Sequence, residues 1–155
     1  MKLFGLYLTP LYFAIATVES ERGATSSNVY QISDRFIADC NRIMTNPGCW
    51  WFPHFLLSDR LRRDKCEDMM RVYWLFWGAR YERKTGNRVS YEVLARIHNG
   101  GPLGWKKVAT ESYWSKVRRV LIDMDMADAE RWMDDRNQAH YKNFFAIAEK
   151  GVRDE

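Results

Sequence analysis

The sequence predicts a single, mainly α-helical domain. Three observations carry that expectation. Apolar residues recur at helical spacing in one segment after another. Gly, Pro and cap-type residues punctuate the segments. No series of alternating apolar and polar residues and no internal repeat appears anywhere in the chain. One small β-hairpin, placed near residues 23–32, is the most β-structure the pattern allows.

Taken in order, Leu8 leads into a first helix from about Pro10 to Ser20, where Leu11, Ile15 and Val18 share a face and Thr9-Pro10 reads as an N-cap followed by a first-turn proline. Residues 20–28 are small and polar and read as a loop. Val29-Tyr30-Gln31-Ile32 is short and strand-like or irregular. Ser33 or Asp34 caps a second helix running to about Met44, stopped by Asn46-Pro47-Gly48. Residues 49–55 form an aromatic loop. Ser58 or Asp64 opens a long third helix that ends near Lys84 at the Gly86 stop, with Met69, Tyr73, Phe76, Trp77 and Arg80 on the i, i+3, i+4 rhythm. Ser90 caps a helix from Tyr91 to Asn99, Thr110 caps one beginning at Glu111, and residues 127–150 read as a last amphipathic helix.

Bulk properties narrow the function classes. The 155 residues suffice for one sizeable core, and 46% apolar with 15% aromatic content argues against disorder. The net charge of +4 suits a polyanionic partner, but the basic residues are scattered along helix faces, so no nucleic acid is expected. Three cysteines, Cys40, Cys49 and Cys66, with no CxxC make neither a disulfide framework nor a zinc site; no metal or cofactor is expected. The apolar N-terminus imitates a signal peptide ending at Ala14-Ile15-Ala16, yet Pro10 breaks the run and a folded first helix is the preferred reading. No segment makes a comfortable membrane span, so stable membrane insertion is not expected. Oligomeric state is not fixed by the sequence.

Few residues point to chemistry. Glu19 closes an apolar helix beside a loop, where a carboxyl becomes partly buried and its proton harder to lose; it can equally be a solvated surface acid. Gln31, one loop later, can orient a substrate hydroxyl or a water, or bind backbone as a turn residue. His98 and Asn99 stand where a helix meets Gly100-Gly101-Pro102. His98 suits a base, a ligand or a structural donor, and Asn99 a sugar contact or the helix C-cap. The glycines permit close backbone approach to a ligand or to a neighbouring helix.

Ala95-Arg96-Ile97-His98-Asn99-Gly100-Gly101-Pro102, followed by Gly104, Trp105, Lys106 and Tyr113-Trp114, resembles the invertebrate-type lysozymes and their bacterial and phage relatives. Val18-Glu19-Ser20 with Tyr30-Gln31-Ile32 resembles the same group's "V-E-S … Y-Q-I" stretch and, more distantly, the soluble lytic transglycosylases. The run from Tyr73 through Gly78-Ala79-Arg80-Tyr81 to Gly86 is a looser match. The similarity covers residues 10–121, leaving 122–155 as a C-terminal helical extension of one domain spanning 1–155.

The resemblance implies a lysozyme-like fold with a glycan cleft. It implies Glu19 as general acid, and Ser20, Tyr30, Gln31, Tyr81, His98 and Asn99 as substrate-binding residues. The substrate it implies is the peptidoglycan strand, cut after N-acetylmuramic acid by a lysozyme or a lytic transglycosylase. A phage endolysin or a bacterial wall-lytic enzyme, made in the cytoplasm and acting on the wall, suits such a chain. Three departures stand out: the loop after Ser20 lacks the second acid that animal members carry, Glu21 beside Glu19 being its only acid; their many cysteines are absent; and residues 122–155 have no counterpart. Asp34 or Asp39 would have to fold back to replace the acid; otherwise Glu19 works alone. A non-catalytic descendant that binds a glycan or a protein is the alternative. The family also includes members described as isopeptidases, but no Ser–His or Cys–His pairing is evident here.

Overall fold

The computed structural model describes residues 2–21, 28–45 and 54–124. The described elements are a hairpin of β1 (Lys2–Leu3) and β2 (Leu6–Tyr7), then helices α1 (Leu8–Glu21), α2 (Asp34–Met44), α3 (Arg63–Thr85), α4 (Tyr91–Gly100) and α5 (Glu111–Asp123). Single 3-10 turns at Leu57–Leu61, Gly104–Lys106 and Val108–Thr110 join them. The domain is mainly helical, as the breakers and periodicity require. Among the described residues no helix is long and apolar enough to cross a membrane. The expected helix at 127–150, the stop at 46–48 and most of the aromatic loop lie outside the described residues.

A hairpin stands where the sequence placed none; of the one expected near 23–32, residues 23–27 lie outside the described residues. Residues 28–32 form an irregular turn, and the two strands pair instead at the N-terminus, Lys2 with Tyr7 and Leu3 with Leu6. Phe4 and Gly5 occupy the two-residue turn with φ of 52° and 80°. Positive φ at both central positions matches the strand twist, but it is costly for Phe. The Phe4 ring lies against Gly78, where an added Cβ would come within 2.6 Å of it. A glycine inside α3 thus receives the aromatic ring of the hairpin.

Helix α1 is the centre of the core. Leu8, Leu11, Ile15 and Val18 are buried as the spacing predicts, and Tyr12, Ala14 and Ala16 are buried too, so α1 is covered on nearly every side. It begins two residues before the expected start. Pro10 therefore falls inside the first turn, where a missing N–H leaves no intrahelical bond unmade. Helices α4 and α5 pack against α1, and Tyr12 stacks on Trp74 of α3 at 5.6 Å. Helix α2 lies on α3, with Phe36 stacked on Tyr73 at 4.2 Å. Each large apolar side chain buried here contributes about 1.5–3 kcal/mol relative to exposure.

Caps follow the sequence in part. The Ser33 and Ser90 hydroxyls accept from the Phe36 and Val93 N–H groups, as expected, and Gly86 ends α3 with φ of 73°. Neither Ser58 nor Asp64 caps α3; Arg62 holds that position and makes no side-chain cap bond. Thr110 does not cap α5 either. Its hydroxyl is turned inward, within 2.7 Å of the Gly104 carbonyl and 2.8 Å of the Lys107 carbonyl.

Candidate active site

The end of α1 carries the candidate acid. Glu19 is 3% exposed, which settles the choice between a solvated and a buried acid. Its Oε1 accepts a 2.8 Å hydrogen bond from the hydroxyl of Tyr113 on α5. Tyr113 stands in the sequence block that carries the family resemblance, where the sequence assigned it no role. Its spacing places it one helix turn from Val117, on the face that meets α1.

The turn at 28–32 delivers Gln31 to the same place. The Asn28 carboxamide brackets the turn, accepting from the Ile32 N–H at 2.9 Å and donating to the Ile32 carbonyl at 3.2 Å. Gln31 sits at φ of 49°, a conformation that glycine adopts at lower cost. Its Nε2 donates to the backbone carbonyl of Glu19 at 3.2 Å. The positive φ is thus held beside a buried carboxyl.

Tyr30 does not reach solvent. It is 0% exposed, and its hydroxyl donates to Glu67 Oε1 of α3 at 2.7 Å. That burial corrects its assignment as a residue facing a glycan; its ring belongs to the core beside Tyr12, at 6.0 Å. Burial, and then the neighbouring Glu67 carboxylate, push the Tyr30 phenol far above its ordinary value. Ser20 is exposed at the end of α1, its hydroxyl turned back to the Thr17 carbonyl at 2.7 Å.

The block at 95–104 is built by packing against its own chain. Arg96 is 9% exposed. Its Nε donates to the Thr110 hydroxyl at 3.0 Å, one terminal nitrogen to Glu92 at 2.6 Å, and the other to the Lys107 carbonyl at 3.1 Å. A Cβ on Gly104 would overlap the carbonyl oxygen of Arg96, and one on Gly100 would stand 2.5 Å from the Thr110 methyl. Gly100 thus lies against the Thr110 side chain of its own chain, and the close approach to backbone is made by Gly104. Sequence reasoning missed Arg96, although an arginine on the buried face of a short amphipathic helix was a signal that a polar clamp was needed.

His98 is half-buried, with Phe36 and Trp74 around its ring at 5.8 and 6.4 Å between centroids. Asn99 is half-buried and lies inside α4; the helix continues through Gly100, and Gly101, at φ of 79°, is its C-cap. Tyr81 stands on α3 with its ring edge-on to Trp105 at 5.0 Å. The structure thus joins Glu19 and Gln31 directly. It connects them to His98 through Tyr30, Tyr12 and Trp74, and sets Tyr81 against the loop that follows α4.

Asp34 is paired with Arg60, and Asp39 with Arg42 at 2.9 Å. Both acids proposed as replacements for the missing one are engaged elsewhere. Among the described residues no group of three or more His, Cys, Asp or Glu side chains could hold a metal ion.

No protein-family model matches the chain. Individual proteins do. Invertebrate-type lysozyme 6 of Caenorhabditis elegans is 30% identical over 103 residues, 62% of this chain and 67% of that protein. A lysozyme of the clam Meretrix lusoria is 28% identical over 100 residues, 64% of this chain and 71% of that protein. Lysozyme 1 of the oyster Crassostrea virginica is 52% identical over 40 residues; that match spans 26% of this chain and only 22% of the oyster protein.

Proposed function

This chain belongs to the invertebrate-type lysozymes, and from that premise we propose that it is a muramidase-type glycosidase with Glu19 as its general acid and base. The substrate is peptidoglycan. The bond cut is the β-1,4 link between N-acetylmuramic acid and N-acetylglucosamine. We assign it a lytic role on bacterial walls, as a phage endolysin or a bacterial wall-lytic enzyme.

The observation that carries this reading is the state of Glu19: buried, at the end of the central helix, hydrogen-bonded to Tyr113, and flanked by Gln31 on a strained turn. Burial favours the neutral carboxyl, which is the form that can protonate a leaving oxygen. The transferable proton is the one on the neutral Glu19 carboxyl. It passes to the glycosidic oxygen as the bond from that oxygen to the muramoyl C1 breaks. The positive charge developing at C1 is met by the acetamido oxygen of the same sugar. The Tyr113 hydroxyl meanwhile supports the new carboxylate, a charge-assisted hydrogen bond of the stronger kind. Glu19 then accepts a proton from an attacking water, giving a hydrolysed reducing end, or from the muramoyl 6-hydroxyl, giving an anhydro end.

A two-carboxylate retaining mechanism sets its acids about 5–5.5 Å apart. The ion pairs that hold Asp34 and Asp39 support the route with one carboxylate instead. Ser20, Gln31, Tyr81, His98 and Asn99 are the residues assigned to the glycan. Tyr30 is reassigned to holding Gln31 in place.

Purified peptidoglycan digested with the protein and analysed by mass tests the proposal. Muropeptides with reducible ends mean hydrolysis, and anhydro ends mean intramolecular transfer. Glu19→Gln is expected to abolish both, at least 100-fold, with an unchanged circular dichroism spectrum. Fragments released at the same rate by Glu19→Gln would remove Glu19 from its role, and no fragments from the parent protein would leave a glycan-binding module.

A further inference from the structure

We infer that Glu67, on α3, is a positioning residue that ties the helix bearing Glu19 and the turn bearing Gln31 to one point. The inference rests on the reading of Glu19 as the acid, and it concerns a residue that touches no reacting atom in that mechanism.

Three hydrogen bonds meet at Glu67. Its backbone carbonyl accepts from the Tyr12 hydroxyl of α1 at 3.2 Å. Its Oε1 accepts from the Tyr30 hydroxyl of the 28–32 turn at 2.7 Å, and from Arg63 Nε at 2.9 Å, one helical turn earlier on α3. Tyr12 and Glu19 are seven residues apart on α1, about 10 Å along the helix axis. Glu67 is therefore remote from the proton-transfer site and fixes the scaffold on which that site stands. Tyr30 immediately precedes Gln31, so the Tyr30–Glu67 bond sets where the Gln31 backbone can lie, and Gln31 in turn bonds the Glu19 carbonyl.

The arrangement is more than a buried tyrosine satisfied by the nearest acceptor. Tyr30 is wholly buried, whereas Glu67 is only half-buried, and Arg63 holds the same carboxylate oxygen that Tyr30 uses. That oxygen is fixed from two directions. A fixed acceptor restricts the phenol, and a restricted phenol restricts a turn whose φ of 49° at Gln31 would otherwise relax. Small misplacements of a reacting group reduce rates by as much as 100-fold.

The test uses the full chain and two readouts. The first is independent of catalysis: hydrogen exchange at the Gln31 and Ile32 amides. In Glu67→Ala and Tyr30→Phe, exchange there is expected to rise at least 10-fold while the centre of α1 stays protected. The second is turnover of soluble peptidoglycan fragments. In the same variants kcat is expected to fall about 10-fold with KM changed less than 2-fold, and Glu67→Gln, which keeps an oxygen acceptor for Tyr30, recovers most of it. Unchanged exchange at 31–32 in Glu67→Ala would overturn the inference, whatever the activity. So would a loss of protection spread evenly over the molecule, which marks a structural role alone. If the parent protein releases no fragments but exchange responds as expected, the reading of Glu19 fails while the tether stands.

Discussion

Gln31 shows how much a single residue can be asked to do. Its φ of 49° costs a non-glycine residue about 1 kcal/mol or more, and the turn would form more readily with glycine. What glycine cannot supply is the carboxamide that reaches the Glu19 carbonyl. The two effects predict opposite signs in one variant. Gln31→Gly is expected to leave stability within about 1 kcal/mol of the parent, since relieved strain offsets the lost hydrogen bond. Activity on peptidoglycan is expected to fall about 10-fold or more. Urea denaturation and turnover measured on the same preparation check this; parallel losses in both would mean that the side chain serves folding alone. Tyr113 belongs to the same scale: its hydroxyl donates to the buried Glu19 carboxyl at 2.8 Å, a bond that would strengthen with charge on that carboxyl in the proposed reaction.

At the scale of elements, the segment from α4 into α5 behaves as one unit. Arg96 reaches from α4 to Thr110 and to the Lys107 carbonyl, and Gly104 lets the loop lie directly on the Arg96 backbone. Gly104→Ala would place a methyl group inside that carbonyl, and the backbone must move. The expected loss is about 2–4 kcal/mol, in the range of severe overpacking. Gly86→Ala is the control: its φ of 73° is disfavoured for alanine, but nothing lies near the new methyl, so about 1 kcal/mol is expected. Urea midpoints for the two variants check the order; equal losses would mean that backbone conformation, and not the contact, decides both sites.

This unit also shows what the sequence made legible. Helical period, the two serine caps and Gly86 located the elements, because each is a local signal read within one or two turns. The Thr110 cap failed because a buried guanidinium, fourteen residues away, competes for the same hydroxyl. The N-terminal hairpin was not foreseen because its turn is Phe4-Gly5, and the gap that accepts that phenyl ring is Gly78, more than seventy residues on. At the candidate site, the family's order of motifs pointed to Glu19 and Gln31, and the fold brings the two together. Tyr113 and Glu67 as partners were not, since their bonds span 94 and 37 residues. Only the packing of α5 and α3 around α1 brings them within reach.

For the whole molecule, the core is distinctive in the protons it shelters. Tyr12, Tyr30 and Tyr73 are buried phenols, and burial raises each well above the ordinary value of 10.0. Cys40 and Cys66 are buried thiols; burial raises both above 9.0, Cys66 to about 12. In the unfolded chain these groups titrate near their ordinary values, so from about pH 9 upward the unfolded state sheds protons that the native state keeps. The unfolded state then binds fewer protons than the native one, and unfolding free energy must fall as pH rises. Each fully differential proton contributes a slope of about 1.4 kcal/mol per pH unit. The contribution is fully present below pH 9 and is lost between there and the native titration, which for Cys66 lies near pH 12. Urea midpoints at intervals from pH 7 to 11 are expected to be flat at first and then to fall with a steepening slope, as thiols and then phenols join. Cys66→Ser is expected to reduce the slope between pH 9 and 10 and leave the later, phenol-driven part intact. Stability independent of pH up to 11 would mean that these five groups are not sheltered together, and with them would go the packing of α2 on α3 and of α3 against Tyr12 of the helix that carries Glu19.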